Sequence, residues 1–195
     1  ISSTEIENTY NFTKAFIKQM KYLGGYKNIQ IANTTDTLFN IAGVNETKKN
    51  FDDLVVNISN YVNKYYKQYE DSKFNDELLT SFEKVSVVIY GVQGFINKLN
   101  DESKKSLVDI IKQNNQVGVI TFILIDNNDA LKSYAYEEWF KLGTDTSRGI
   151  WIGNGIVDQT LFKVNRINRD DRVELSNEYG FIVNSSKILF IYFKH

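Results

Sequence analysis

The chain of 195 residues is 42% hydrophobic and 14% aromatic, which is enough apolar material for a domain with its own core and too much for a disordered segment. Its formal net charge of −1 supplies no general field for gripping nucleic-acid phosphates. It contains no cysteine, which excludes disulfides, zinc fingers and thiol chemistry; its single histidine, His195, stands at the last position and reads as a solvated terminal residue, not as half of a catalytic dyad.

The longest near-apolar run, 117–125, is far short of the roughly 20 residues that a membrane span needs, and no signal peptide is visible. The chain starts at Ile1 without Met, so it reads as a piece of something longer, with any anchor lying elsewhere.

In chain order, residues 4–22 and Leu23 after them carry Tyr10, Ala15, Phe16, Met20 and Leu23 at mostly helical spacing, and Gly24-Gly25 stops that helix. A short strand is expected over 28–32. The clearest helix is 51–69, where Phe51, Leu54, Val55, Ile58, Val62, Tyr65, Tyr66 and Tyr69 mark one face and Lys and Asn the other. Tyr61 adds to its tyrosine-rich surface, which core packing largely explains. Val85–Tyr90 (VSVVIY) is apolar and β-branched, the pattern of a strand buried on both faces of a parallel sheet. Residues 101–114 read as a helix, 119–125 (VITFILI) as a second fully buried strand, and 130–142 as a further helix. Strands follow at 149–152 and 160–164. A hairpin then pairs 181–183 with 188–193 across Asn184-Ser185-Ser186-Lys187. Strands separated by helices of this length make right-handed crossovers and a mostly parallel sheet, so 1–195 is read as a single α/β domain.

Several acidic pairs have ordinary roles. Asp52-Asp53 and Asp170-Asp171 sit at expected helix starts, where carboxylates favour the dipole. Asp126-Asn127-Asn128-Asp129 follows the second buried strand at its carboxyl end, where α/β proteins place functional loops, but lacks the spacing of an EF-hand. Gly24-Gly25 lacks the context of a dinucleotide fingerprint.

The segment Ser147-Arg148-Gly149-Ile150-Trp151-Ile152-Gly153-Asn154-Gly155-Ile156-Val157-Asp158-Gln159 resembles a stretch near the C-terminus of the membrane-anchored coupling ATPases of type VII secretion, members of the FtsK/SpoIIIE family of ring-forming P-loop translocases. The closing hairpin is similar to the last two strands of FtsK-type motor domains. The resemblance implies a P-loop NTPase-like (RecA/FtsK-type) fold: a mostly parallel sheet flanked by helices, with an antiparallel C-terminal hairpin. Gly149, Gly153 and Gly155 around Trp151 also have a plain reading, a tight turn that packs an indole onto the sheet. The competing reading is a contact surface for a neighbouring domain or a client.

The family's phosphate loop has the pattern GxxxxGK[ST], in which backbone amides cradle phosphates, Lys neutralises charge and a hydroxyl holds Mg²⁺. No such pattern occurs here. The resemblance places Ser3 at the first glycine, Asn8 at the second, Thr9 at the lysine and Tyr10 at the hydroxyl position, so no cation is supplied. Thr4-x-x-Glu7, or Ser2-x-x-Glu5, reads as a capping box that fills the helix start with a carboxylate. Tyr90 and Gly91 stand where the family's Walker-B acids end their strand, and Asp126 stands where that family senses the γ-phosphate.

The resemblance therefore implies a catalytically degenerate module with no cofactor and no metal. Its partners would be secreted small helical clients and adjacent ATPase domains of the same chain, in a hexameric ring on the cytoplasmic side of the membrane. No nucleic-acid binding and no direct membrane insertion are expected. The competing expectation is an active ATPase that completes its site with a cation from a distant loop or a neighbouring subunit, with Lys84, Lys98 and Arg148 as donors. A DNA-translocase accessory role is disfavoured by the charge balance.

Overall fold

The computed structural model describes residues 1–23, 28–164, 174–185 and 187–193; Gly24-Gly25, Asp170-Asp171, Ser186 and His195 lie outside them. The chain runs β1 (Ser2–Ser3), a 3-10 turn (Ile6–Thr9), α1 (Tyr10–Tyr22), β2 (Asn28–Asn33), β3 (Asn45–Thr47) and α2 (Phe51–Asp71). A second 3-10 turn (Asp76–Ser81) leads to β4 (Val85–Tyr90), α3 (Val92–Lys98), α4 (Asp101–Val117) and β5 (Ile120–Asn127). Then come α5 (Asn128–Ser133), α6 (Glu138–Gly143), β6 (Arg148–Ile152), β7 (Tyr179–Asn184) and β8 (Lys187–Tyr192).

The strands form one sheet in the order β3-β2-β4-β5-β1-β6-β7-β8. Pairing is parallel from β3 to β6 and antiparallel through β6, β7 and β8. This is the α/β architecture expected from the sequence, hairpin included.

A parallel sheet must be covered on both faces. On one face α1 sets Ile17 and Met20 against Ile29, Ile31, Val88 and Ile125, with Phe39 and Tyr90 closing the cluster. On the other face α2, α3, α4 and α6 pack over Val87, Ile89, Ile120 and Trp151. The apolar stripe of α2 is buried as its spacing predicts, and Asp52 and Asp53 occupy its first turn. Helix α4 starts where the Asn100 side chain accepts from Ser103 N–H (2.8 Å) and ends at Gly118, whose φ of +62° a side chain would strain.

Five sequence expectations need correction. The helix expected over 4–22 begins only at Tyr10, because residues 4–9 are spent leaving β1 through a bend and a 3-10 turn, where Thr9 Oγ1 bonds Ile6 O (2.7 Å). The helix expected over 130–142 is two, α5 and α6. The turn between them lets the Tyr134 and Trp139 rings meet at 5.4 Å, which residues five apart on one continuous helix cannot do. Residues 160–164 form no strand: the Gln159 side chain accepts from Phe162 N–H (2.7 Å) and donates to Phe162 O (3.1 Å), satisfying those groups without a ladder. Helix α4 runs on to Val117, and Asn114 inside it holds the start of β5 through both Ile120 N–H and Ile120 O. Strand β5 is not buried throughout, since Thr121, Phe122, Ile123 and Leu124 are only half-buried despite its central place. Strand β3 and helix α3 carried no clear periodic signal.

Replacing Ile17, fully buried under α1, by Ala should lower stability by about 2–5 kcal/mol. Leu189→Ala, on exposed β8, should shift it by less than about 0.5 kcal/mol. Urea unfolding of both variants checks the contrast.

Candidate functional site

Strand order reverses beside β1. The chain leaves β1 toward the β3 edge, and later steps from β5 past β1 to β6. In open α/β sheets the crevice at the carboxyl ends of such strands is the usual ligand site. Here it is bounded by the turn after β1, the end of β4 and the end of β5, which brings together Ser3, Thr4, Asn8, Thr9, Tyr90, Gly91 and Asp126.

Residues 6–9 are a 3-10 turn, in which Asn8 N–H is bonded to Glu5 O (3.2 Å). The Ile6 carbonyl points into the crevice, where it accepts from Tyr90 Oη (2.9 Å) and Thr9 Oγ1 (2.7 Å). Tyr90 Oη also lies 3.5 Å from Thr9 Oγ1. Tyr90 is 1% exposed, and burial pushes its phenol up to about 12, with the Glu7 carboxylate adding to the effect. The Tyr90 ring and the Ile6 carbonyl oxygen thus line this side of the crevice.

The other wall is acidic. Asp126 is 4% exposed. Its carboxylate accepts from Gln93 N–H (2.9 Å) and Asn127 N–H (2.8 Å), so it caps α3 across the sheet. Burial raises its pKa above the usual carboxylate value, opposed by these amide bonds and reinforced by Glu7. Among the described residues only Lys112–Glu138 and Arg148–Asp145 form ion pairs, so neither Asp126 nor Glu7 is neutralised. Gly91, at φ +84°, starts α3, and a Cβ there would meet Thr34 Oγ1 at 2.1 Å. Thr34 Oγ1 donates toward Gly91 O (3.0 Å) and Tyr90 O (3.3 Å), which fastens the end of β4 to the loop after β2. Among the described residues no cluster of three or more His, Cys, Asp or Glu could hold a metal.

The signature turn adjoins the same crevice. Trp151 is 1% exposed, and its indole N–H donates to Asn154 O (2.8 Å), the packed-indole arrangement. Gly153 and Gly155 have φ of +74° and +86°, and a Cβ on Gly155 would meet Thr4 Cγ2 at 2.9 Å. Gly149 leaves room for Phe162, whose ring edge would lie 2.1 Å from a Cβ there. Ser3 Oγ donates to Ile152 O (2.8 Å), and Asn8 Oδ1 accepts from Asn177 Nδ2 (2.9 Å). The first turn and the signature turn are therefore one joined surface.

Some expected site residues lie elsewhere. Tyr10 points away, its hydroxyl on Leu38 O (2.8 Å) and its ring on Phe39. Asp158 is exposed, and Gln159 is engaged with Phe162. The capping box is absent: Thr4 Oγ1 accepts from Asn8 Nδ2 (3.3 Å), and α1 has no acid in its first turn and no side-chain cap at Thr9. The loop after β5 caps the helix that follows it through Asn127, which accepts from Ala130 N–H (2.9 Å). Of the proposed cation donors, Lys84 and Arg148 stand at the amino ends of β4 and β6. Across strands of five or six residues they cannot reach this crevice within one chain. Lys98 lies over the Phe51 ring (5.6 Å). Thr34 and Asn177 were not singled out by sequence. The close spacing of Gly91 and Gly94, both packed on Thr34, was the available hint for the former.

No family model matches the sequence, and no curated protein matches it. Solved structures do match in fold. The chain superposes over 98% of its length, at TM-score 0.75 and 13% identity, on 36% of the EssC chain (ATPases 2 and 3) from Geobacillus thermodenitrificans. The cytoplasmic domain of EssC matches at TM-score 0.69 and 12% identity, over 97% of this chain and 37% of that one. EccC (ATPases 2 and 3) of Thermomonospora curvata, in complex with a signal sequence peptide, matches at TM-score 0.61 and 14% identity, over 100% of this chain and 36% of that one. The chain thus has the fold found in type VII secretion ATPases and spans a little over a third of those chains.

Tyr90→Phe should cost about 0.5–1.5 kcal/mol of stability, the net worth of one hydrogen bond to the Ile6 carbonyl; chemical denaturation checks it. Asp126 has a folded pKa above its unfolded one, so its contribution is greatest below the unfolded value and is lost as pH rises through the folded value. The stability difference between the native chain and Asp126→Asn should therefore move against the native chain between pH 3.8 and neutrality, as read from urea midpoints across that range.

Proposed function

We propose that residues 1–195 are a single, catalytically degenerate FtsK/SpoIIIE-like ATPase domain of a type VII secretion motor, acting by binding and assembly and not by hydrolysis. The fold shared with EssC and EccC ATPase domains supports the setting. The observation that carries the degeneracy is the Ile6 carbonyl, held by Tyr90 Oη and Thr9 Oγ1 in the crevice. Phosphate recognition at a helix start depends on free amides and a cation. This turn offers an oxygen, a buried ring and the unneutralised carboxylates of Glu7 and Asp126.

The partners we assign are adjacent ATPase domains of the same chain and secreted small helical clients, with assembly into a hexameric ring at the cytoplasmic side of the membrane. The EccC structure that matches in fold holds a signal sequence peptide, which supports client binding as the class of activity. No described helix is long and apolar enough to cross a membrane, so a membrane-anchored parent would carry its anchor in another segment. The competing reading, an ATPase completed by a neighbouring subunit, needs a cation delivered in trans to the Tyr90 crevice.

Calorimetric titration of the purified chain with Mg²⁺ and ATP should show a Kd no tighter than about 1 mM, a binding free energy smaller than about 4 kcal/mol in magnitude. Micromolar binding that disappears when Thr9 or Tyr90 is changed would sink the degenerate reading. Turnover that appears only when the chain assembles would favour the competing one.

A further inference from the structure

The two edges of the sheet differ in kind. At one end β3 is polar and only three residues long, Asn45–Thr47, the short edge that proteins tolerate. At the other end β8 runs over six residues, Lys187–Tyr192 (KILFIY), and among the described residues it is paired on one side only, with β7. Leu189, Phe190 and Tyr192 are more than half exposed. They lie on both faces of the strand, Leu189 on one and the two aromatics on the other. Lys187 at its start is its only charge, it carries no proline, and its register with β7 is unbroken by a bulge. A long apolar edge without these protections is a template for another strand.

The ladder fixes which backbone groups are open. Phe193 N–H donates to Glu178 O (3.0 Å), one step beyond the Tyr179–Tyr192 pair. Antiparallel ladders alternate, so Lys187, Leu189 and Ile191 turn their amides and carbonyls toward β7, while those of Ile188, Phe190 and Tyr192 face outward. The far side of β7 agrees: Gly153 N–H donates to Tyr179 O (2.9 Å), which leaves Gly180 and Ile182 to bond β8. An aromatic row runs out to this open edge. The Tyr179 ring stacks on Phe190 (5.5 Å) and meets Tyr192 (4.9 Å), and Phe190 meets Phe181 edge-on (5.7 Å).

We infer that β8 pairs with β8 of a second copy of this chain, antiparallel, about a two-fold axis through Phe190, joining two eight-stranded sheets edge to edge. Self-complementarity argues for this occupant. The axis sets Phe190 opposite its own counterpart, Ile188 opposite Tyr192, and Leu189 opposite Ile191. Each outward-facing residue then meets another outward-facing residue and exchanges two hydrogen bonds with it, about six in all. This is the register that pairs all three of them within Ile188–Tyr192. Every facing pair is apolar or aromatic, the kind that stabilises neighbouring strands, and the two Lys187 side chains fall at opposite ends, where like charges do not meet. The contact is isologous; it rests on neither the nucleotide crevice nor the ring proposed above.

One pair of strands buries less than a standard interface, so the expected dissociation constant lies between about 1 μM and about 1 mM. Sedimentation equilibrium of the purified chain should show monomer giving way to dimer across that range. Phe190→Lys, which sets two like charges on the axis, should weaken association by about tenfold or more. The chain has no cysteine, so Phe190→Cys gives a second readout without an added charge. Directly paired Cα atoms about 5.5 Å apart suit a disulfide, and mild oxidation should cross-link this variant, whereas Leu38→Cys, exposed after β2, should stay monomeric. A chain that remains monomeric up to about 1 mM overturns the pairing, and if that monomer takes up an extended Val/Thr peptide at β8, the edge belongs to a peptide ligand instead. A dimer unaffected by Phe190→Lys, or equal cross-linking of the two cysteine variants, overturns it as well.

Discussion

Two residues of strand, Ser2 and Ser3, join the two halves of the sheet: β3-β2-β4-β5 on one side and β6-β7-β8 on the other meet only through β1. Both serines are fully buried, and small side chains suit a strand hemmed between two others with covered faces. Ser3 uses its hydroxyl to hold Ile152 O. Ser2 Oγ has no partner among the described residues, and a buried unpaired hydroxyl costs free energy. Everything else at the crevice follows from where this short strand stops. It fixes the start of the turn over residues 4–9, the position of Gly155 against Thr4, and the direction from which Tyr90 approaches.

The crevice lies at the carboxyl ends of the strands where the strand order reverses, a usual ligand position in open α/β sheets, and several of its groups are bonded to one another. A phosphate site at the start of a helix needs inward amides, and these become available only if the preceding turn wraps around the anion. Here the 3-10 turn bonds Asn8 N–H to Glu5 O, and the Ile6 carbonyl faces the phenol of Tyr90. The ring in turn meets Phe39 edge-on at 4.9 Å, so withdrawing it would disturb the cluster beneath α1. Asp126, caged by backbone amides, serves the start of α3. The Ile6 carbonyl, the Tyr90 hydroxyl and the Asp126 carboxylate are each engaged with another part of the fold.

Much of this was legible in the sequence, because long periodic segments speak for themselves. The stripe of α2 and the continuous apolar run of β4 needed no context, and neither did the turn of Gly153-Asn154-Gly155 around Trp151. Other features depended on contacts across the sheet. Thr4-x-x-Glu7 has capping spacing, yet the chain is still turning out of β1 there, so the helix starts at Tyr10 and the box never closes. The partner of Asp126 depends on the sheet: Gln93, thirty-three positions earlier, donates an amide to its carboxylate. The break between α5 and α6 is invisible to helical periodicity, because Tyr134 and Trp139 meet only after the chain has turned.

The position of β1 has a kinetic consequence. The central strand finds partners at the far end of the chain: Ser3 bonds Ile152, a separation of 149 residues, while β4 and β5 pair across the crossover made by α3 and α4, and β7 with β8 across a tight turn. Closing so long a loop is entropically expensive before its contacts form, and topologies rich in distant pairings fold slowly. The two flanking halves can therefore assemble from nearer contacts first, with β1 threading between them afterwards. The crevice would be among the last regions to acquire its native shape during folding and among the first to lose it.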